Sequence, residues 1–257
     1  EFRRVLFRSI PTGVSVPGAE LVLRARAMAP NPQTRIVVNC AGRTRSIIGT
    51  QSLVNAGIPN PVVALRNGTI GWTLAGQRLE TGADRRYKDI TPEQLSQAQS
   101  DARRVADRAG VARIDRAQLQ RWCGQAHRTT YVCDVRAPEE YLSGHWPGSL
   151  STQGGQLVQE TDHTAAVRGA RFVLIDPLQV RADMSASWLA QMGWEVAVLE
   201  GVTQADLTET GPEQRLRPPV SGDFIEATQL AIWLGQGDTW VVDLSSAAQF
   251  IRGHIPE

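Results

Sequence analysis

The sequence predicts an α/β protein built from tandem modules, each an open and mainly parallel sheet with helices on both faces. Two observations predict this class. Short segments rich in β-branched residues alternate with longer amphipathic segments, and a strand, a helix and a second strand fit within about 30 residues, as in a βαβ unit. The same strand–helix–strand pattern occurs twice along the 257 residues, which predicts more than one module.

The first pattern lies near the N-terminus. Residues 35–39 are a short β-branched run between polar turn residues, typical of a buried strand. Residues 46–55 have helical apolar spacing and precede Gly57, which favours a helix end there. Residues 61–65 are predicted to form the next strand. In the second pattern the predictions are a strand at 172–175, a helix at 185–192 and a strand at 195–199.

A further helix is predicted between the two patterns. Thr91 is a favourable N-cap, Pro92 suits the first helical position, and Gln94 completes a capping box ahead of a run that ends at Gly110. The residues around this helix are polar. We therefore interpret residues 83–112 as a linker that contains one helix.

Internal repeats relate distant parts of the chain. Cys40 falls on Asp176 at an offset of 136 residues, and Leu-Val-Asn-Ala-Gly falls on Leu-Ala-Gln-Met-Gly at the same offset. A second offset, of 109 residues, carries the segments around Asp134 and His145 onto Val-Val-Asp-Leu and Gly-His-Ile-Pro near the C-terminus. We interpret the chain as three occurrences of one module: its C-terminal part, a whole copy and its N-terminal part.

These offsets set the predicted domain boundaries. The Gly-His pair of the whole copy would fall on Arg8 and Ser9, where the match fails, so we interpret residues 1–9 as foreign to the module. A strand at 241–244 is a candidate to complement the first sheet. The expected organisation is a non-native leader at 1–9, the C-terminal part of a module at 10–82, the helical linker at 83–112, a complete module at 113–211, a second linker at 212–223 and the N-terminal part of a third module at 224–257.

Composition excludes several classes of protein. With 42% hydrophobic residues, 21% charged residues and a formal net charge of +1, the chain lacks the basic surplus typical of nucleic-acid binding. No apolar run reaches the roughly 18 residues that a membrane span requires, and no signal peptide is recognised. Three cysteines do not make a disulfide framework. We therefore expect a cytoplasmic protein without nucleic-acid or membrane partners.

One loop carries the residues of a candidate active site. Cys40-Ala-Gly-Arg-Thr-Arg-Ser46 follows the first predicted strand and leads into the first predicted helix, where ligands of open parallel sheets bind. Backbone N–H groups at the helix start and the charges of Arg43 and Arg45 favour the thiolate of Cys40, which is its nucleophilic form. Gly42 allows the loop to curl so that its N–H groups converge on one anion.

Three motifs give the chain a family resemblance. They resemble the motifs of rhodanese-type sulfurtransferases. The motifs are the loop at 40–46, the glycine-rich Leu65-Arg-Asn-Gly-Thr-Ile-Gly-Trp72, and Asp134-Val-Arg followed by Gly144-His-Trp-Pro-Gly148. The whole resembles part of a protein with several tandem rhodanese domains. The resemblance covers nearly all of residues 10–82, 113–203 and 224–257.

The resemblance implies a double-displacement reaction. Cys40 would take the outer sulfur of thiosulfate as a persulfide, release sulfite, and pass the sulfur to cyanide or a thiol. Two arginines would hold the sulfonate oxygens, and neither a metal nor an organic cofactor is needed. Loop N–H groups would cradle the persulfide, and two hydroxyls would donate at the rim. The implied substrate-binding residues are Ala41, Gly42, Arg43, Thr44, Arg45 and Ser46, the rim hydroxyls being those of Thr44 and Ser46.

Three other functions stay open. A persulfide carrier or regulatory rhodanese module would hold the sulfur for a protein partner. Cysteine-dependent phosphatases and arsenate reductases have active-site loops of the type Cys-x5-Arg, sized for a tetrahedral phosphate. The loop of this chain is Cys-x4-Arg, which suits a single sulfur atom. The active-site loops of mercaptopyruvate sulfurtransferases are similar to Cys-Gly-Ser/Thr-Gly and lack these arginines. Thiosulfate is therefore favoured as the sulfur donor of this chain.

The second copy departs from the pattern at the reacting atom. Asp176 stands in the position of Cys40 in the loop Asp176-Pro-Leu-Gln-Val-Arg181. A carboxylate forms no persulfide, and Pro177 removes one loop N–H. We therefore expect residues 113–211 to form a catalytically silent rhodanese domain. The alternative is an aspartyl nucleophile for phosphoryl transfer, but no second carboxylate pair accompanies it.

The remaining thiols and the recurring histidines have structural interpretations. Cys133 alternates within a predicted strand and is expected in the core. Cys123 is expected to pack on a helix, with a resolving thiol for Cys40 as the alternative. His145 and His254 recur in Gly-His-x-Pro and are interpreted as turn residues rather than ligands.

Overall fold

The computed structural model describes residues 9–213, 224–245 and 247–255, and the chain divides into two compact units after Gln214. The predicted leader at 1–9 and the linker at 212–223 lie outside the described residues, apart from residues 9, 212 and 213. The strands are β1 (Ile36–Val38), β2 (Val62–Ala64), β3 (Ala112–Ile114), β4 (Thr130–Asp134), β5 (Leu150–Ser151), β6 (Arg171–Ile175) and β7 (Glu195–Leu199). The helices of the first unit are α1 (Leu21–Met28), α2 (Thr44–Asn55), α3 (Gly68–Leu74), α4 (Pro92–Arg108), α5 (Arg116–Cys123), α6 (Pro138–Ser143), α7 (Gly154–Gln159), α8 (Thr161–Thr164) and α9 (Val180–Gln191), with 3-10 turns at Gly18–Glu20 and Gln204–Asp206.

The first unit contains two parallel sheets, which confirms the predicted fold class. β1 pairs with β2, and a five-stranded sheet has the order β3-β7-β6-β4-β5. Helices cover both faces of the larger sheet. Phe172 and Leu174 pack on one face against α9, whereas Val173 packs on the other face against Leu119 of α5. The alternation of β6 side chains between two apolar layers explains why this strand reads as one continuous hydrophobic run.

The predicted strands and helices of both patterns are confirmed, and the largest difference in extent is in the second helix. The second helix, predicted at 185–192, begins five residues earlier, at Val180. Almost every side chain of α9 is buried, including Val180, Ala182 and Met184. A helix buried on all sides has no polar face to mark its start in the sequence. The two helices correspond residue for residue at the offset of 136, because α2 spans 44–55 and α9 spans 180–191.

Helix α4 is the helix predicted within residues 83–112. Its capping box is present: the Gln94 N–H donates to Thr91 Oγ1 at 3.3 Å, and the Thr91 N–H donates to Gln94 Oε1 at 3.0 Å. The segment connects the two copies and also packs between α1 and α9. Its buried residues are Ala98, Asp101, Ala102, Val105 and Ala106. Neither α4 nor any other helix in the described residues has the length and apolarity of a membrane span.

The two copies pack through residues that are equivalent in the repeat. Trp188 Nε1 donates to Ser52 Oγ at 2.9 Å, and these two residues are the same position at the offset of 136. A Cβ on Gly18 would lie 3.6 Å from the Cα of Gly155, and a Cβ on Gly154 would lie 3.1 Å from Ala19. The second contact is the first one with the copies exchanged. These reciprocal contacts are those of a pseudo-two-fold axis that passes near Ser52 and Trp188.

The second unit contains two helices in its described residues, α10 (Ala227–Leu234) and α11 (Ala247–Arg252). The strand predicted at 241–244 is not formed, so the prediction was wrong in this structure. Val242 and Leu244 are exposed, and no strand is described in this unit with which they could pair. Strand formation depends on a partner for the backbone groups, and this segment has none.

Candidate active site

Cys40 lies between the end of β1 and the first turn of α2, at the carboxyl edge of the smaller sheet. Its side chain is partly exposed. The thiol donates to Ser46 Oγ across 3.5 Å, and the backbone N–H groups of Gly42 and Ser46 also interact with the sulfur. The Ser46 N–H belongs to the first turn of α2, where backbone donors have no intrahelical partner. The sulfur therefore takes up donors that the helix leaves free.

The surroundings of Cys40 lower the pKa of its thiol. Partial burial raises the pKa, because it disfavours the charged form. The Ser46 hydroxyl, the two loop N–H groups and the charge of Arg45 act in the opposite direction and outweigh burial. The result is a pKa below the ordinary value of a cysteine, which increases the fraction of nucleophilic thiolate.

Ser46 is positioned differently from the expectation. The sequence places it at the rim with Thr44, but only 1% of Ser46 is exposed. Its hydroxyl donates to the Arg43 carbonyl at 2.9 Å and lies beside the Cys40 sulfur. Because Ser46 is the third residue of α2, the helical turn carries its side chain beneath the loop. Thr44 is exposed, as a rim residue would be.

Helix α3 holds the outer side of the cysteine loop. The Thr69 N–H donates to the Cys40 carbonyl at 3.0 Å, and the Ile70 N–H donates to the Ala41 carbonyl at 3.2 Å. This approach requires glycine at position 68, where φ is +55° and a Cβ would lie 2.0 Å from the Cys40 oxygen. With its carbonyls bound on one side, the loop can turn its N–H groups to the other. Reasoning from the sequence missed this contact, although Asn67-Gly68 after a strand is a recognisable turn signal.

The two loop arginines lie at the surface of the protein, and the charge of Arg45 acts on the Cys40 thiol. Arg43 and Arg45 are exposed, and neither forms an ion pair with a carboxylate in the part of the chain that the structure describes. Ala41 is also exposed, and Gly42 is half-buried. The structure therefore brings Gly42, Arg45 and Ser46 to the Cys40 sulfur, through two N–H groups, one charge and one hydroxyl, and it describes no such interaction for Ala41, Arg43 or Thr44.

The equivalent loop of the second copy is closed by carboxylates. Asp176 is fully buried and accepts from the N–H groups of Leu178 at 3.1 Å and Arg181 at 2.9 Å. The Arg181 guanidinium binds Asp176 at 2.8 Å, Glu20 at 2.8 Å and Glu140 at 2.6 Å. Burial lowers the pKa of Arg181, but the three carboxylates raise it by more than burial lowers it. The net pKa is raised, so the side chain stays charged. No thiol occupies this loop.

The other motif residues have structural roles. Arg136 binds both carboxylate oxygens of Asp134 and also donates to the Gly144 carbonyl at 2.6 Å, which ties the Asp-x-Arg motif to the Gly-His turn. The His145 ring stacks on Tyr141 at 3.7 Å and forms a hydrogen bond through Nδ1 with the Tyr141 carbonyl. His254 repeats this arrangement on Phe250, with ring centroids 3.8 Å apart. The structural interpretation of both histidines agrees with these contacts.

The two remaining cysteines lie outside the loop. Cys133 is fully buried in β4, and burial raises the pKa of its thiol to about 12. Cys123 is exposed at the end of α5, and partial burial of the sulfur raises its pKa. Cys40 is thus the one cysteine whose surroundings favour the thiolate. Among the described residues, no group of three or more metal-ligating side chains is found.

Comparisons with known proteins find one matching family model and several similar solved structures. Residues 115–205 match the family model of the rhodanese-like domain. The whole chain is 60% identical to a thiosulfate sulfurtransferase from Pseudomonas aeruginosa of known structure, with a TM-score of 0.82, and spans 49% of that protein's chain. A Bacillus halodurans protein of known structure is 24% identical over 39% of this chain and 74% of its own, with a TM-score of 0.31. A 3-mercaptopyruvate sulfotransferase from Escherichia coli is 16% identical over 77% and 84%, with a TM-score of 0.33. No match was found among curated proteins.

Proposed function

Because this chain belongs to the rhodanese-like family, we propose that it is a thiosulfate sulfurtransferase that carries the transferred sulfur on Cys40. The family resemblance identified from the motifs is confirmed by the family match and by the Pseudomonas relative. The chain spans about half of that relative, and its activity is inferred from its own loop together with that similarity.

The proposed reaction has two displacements at one sulfur. The Cys40 thiolate attacks the outer sulfur of thiosulfate, the S–S bond of thiosulfate breaks, and sulfite leaves with the electron pair. Cys40 then carries a persulfide anion. Cyanide or a thiolate attacks the terminal sulfur, the new S–S bond breaks, and the Cys40 thiolate is restored. Each step transfers a neutral sulfur atom, so charge is conserved without an external oxidant or reductant.

The single observation that carries this proposal is the donor-lined position of the Cys40 sulfur. Two backbone N–H groups donate to it on the protein side and the Ser46 hydroxyl lies 3.5 Å from it, and N–H donors suit a thiolate and a persulfide anion equally. Arg43 and Arg45 are exposed in the same loop, and their guanidinium groups are proposed to bind the sulfonate oxygens of the donor.

The decisive experiment measures thiocyanate formed from thiosulfate and cyanide. We expect Cys40→Ala to abolish turnover, whereas Cys123→Ala, which removes an exposed thiol outside the loop, keeps wild-type activity. Retention of activity by the Cys40→Ala variant would overturn the proposal. Sulfite release measured in parallel reports the first displacement independently of the acceptor.

A persulfide carrier is distinguished from an enzyme by intact mass. In both cases thiosulfate should add one sulfur atom, about 32 Da, to the wild-type chain but not to the Cys40→Ala variant. A carrier would gain this mass without turnover on cyanide. Hydrolysis of an aryl phosphate that is lost on Cys40→Ala would instead support a phosphatase.

We also propose a reducing, cytoplasmic setting and a module organisation for the chain. The three cysteines are free thiols, which fits a reducing compartment. Residues 10–82 and 113–211 are proposed to be two occurrences of one module, the second of them silent in sulfur transfer. The matched helices α2 and α9 and the reciprocal contacts at the pseudo-two-fold axis support this division.

A further inference from the structure

Two arginines occupy the same repeat position but have different surroundings. Arg45 in the first copy and Arg181 in the second are separated by the offset of 136. Arg181 is 2% exposed and bound by three carboxylates, whereas Arg45 is exposed and forms no ion pair among the described residues. The positive charge is therefore consumed within the protein in the silent loop and left available in the cysteine loop.

One of the carboxylates on Arg181 comes from the other module. Glu20 lies in the first copy, in the 3-10 turn before α1, and its Oε1 is 2.8 Å from Arg181 Nη1. The pseudo-two-fold axis maps Glu20 onto Gln156 of α7 and maps Arg181 onto Arg45. The 3-10 turn that carries Glu20 contacts α9, and the axis requires the equivalent contact between α7 and α2. That contact is present. From the same exchange we infer that Gln156 faces the loop of Cys40.

We propose that Gln156, contributed by the complete module, is a specificity-determining residue of the Cys40 site that leaves Arg45 free for a doubly charged oxoanion donor. The inference rests on the proposed function and deepens it, since it names the donor class and makes the silent module part of the site. A carboxylate at this position would neutralise Arg45, as Glu20 neutralises Arg181. A neutral amide leaves the guanidinium to the substrate.

Glu160, the carboxylate that accepts a hydrogen bond from Gln156, also has other partners. Glu160 accepts from Gln156 Nε2 and from Gln159 Nε2 at 3.2 Å, and His163 Nδ1 lies 3.3 Å from its Oε2. Its charge is therefore engaged by three neighbouring groups rather than by Arg45. This arrangement also fixes the amide of Gln156, which is consistent with a defined residue opposite the loop.

The test compares Gln156→Glu with Gln159→Glu in the whole chain. Both variants add one negative charge to α7 and remove an amide donor from Glu160, but only residue 156 is related by the axis to Glu20 and so is inferred to lie opposite Arg45. We expect Gln156→Glu to raise the KM for thiosulfate about tenfold or more, with kcat within about threefold, and Gln159→Glu to stay within about twofold of wild type. Equal effects of the two variants would overturn the inference.

A second variant and a second readout keep the test decisive. Gln156→Lys adds the opposite charge and should lower the thiosulfate KM about threefold, so the inference can be tested even when the glutamate variant is unstable. Protection of Cys40 by sulfate against iodoacetamide, a neutral reagent, should be weakened by Gln156→Glu and strengthened by Gln156→Lys. When wild type shows no turnover, the proposed function fails, and the order of sulfate protection still decides the role of Gln156.

Discussion

Replacing Gly68 by alanine is expected to disrupt the cysteine loop through one added atom. The new Cβ would lie 2.0 Å from the Cys40 carbonyl oxygen, and the backbone there has φ of +55°. The left-handed conformation costs a non-glycine residue about 1–2 kcal/mol, and relieving the overlap adds about 1–3 kcal/mol. We therefore expect Gly68→Ala to lower the free energy of unfolding by about 2–5 kcal/mol.

The matched control is Gly76→Ala. Gly76 has φ of +75°, but a Cβ there would meet no atom within 4 Å, so this variant carries the backbone cost alone, about 1–2 kcal/mol. Urea unfolding measures both changes. The pH dependence of Cys40 alkylation measures the pKa of the thiol, which reports whether the loop keeps its conformation. Separating α3 from the loop would disperse the N–H groups that lower this pKa. Equal losses of stability together with an unchanged alkylation profile would refute this account of Gly68.

Three further predictions concern the thiols and the silent loop. Ser46→Ala removes a hydroxyl that lowers the pKa of Cys40, so this pKa should rise and the alkylation curve should move to higher pH. The control Thr44→Ala removes an exposed hydroxyl and should leave the pKa of Cys40 unchanged. An unmoved curve for Ser46→Ala would contradict the assigned hydrogen bond. In the Cys40→Ala background, Asp176→Cys should gain no sulfur from thiosulfate by intact mass, because Glu20 and Glu140 still occupy Arg181, and a persulfide on residue 176 would count against that reasoning. Peptide mapping after brief alkylation should find Cys40 modified first and Cys133 unmodified until the protein is unfolded, since Cys133 is fully buried with a pKa raised to about 12; early labelling of Cys133 would be the opposite result.

The parts of the fold that the sequence predicts well are those determined by neighbouring residues. The capping box at Thr91 and the strand-loop-helix around Cys40 depend on side chains within a few positions, and both are found as expected. The segment at 241–244 has the residues of a strand but forms none, because a strand also requires a partner that local pattern does not supply.

Long-range contacts explain what the sequence left out of the candidate site. The bond between Arg181 and Glu20 joins residues 161 positions apart, and the fit of Gly68 beneath the Cys40 carbonyl depends on how two segments meet. Neither has a periodic signature. The offset of 136 nevertheless identified which residues are equivalent, and this correspondence became informative once the docking of the two modules was known.

The contact between Ser52 and Trp188 has a consequence for how the duplicated modules recognise each other. At a symmetry axis a residue meets its own equivalent, so two identical modules would place serine against serine or indole against indole. The first pairing leaves a void and the second overfills the same space, whereas one small and one large side chain fit and share a hydrogen bond of 2.9 Å. Divergence at this single position therefore favours the mixed pair over either self-pair, and it commits the two copies to distinct partners after duplication.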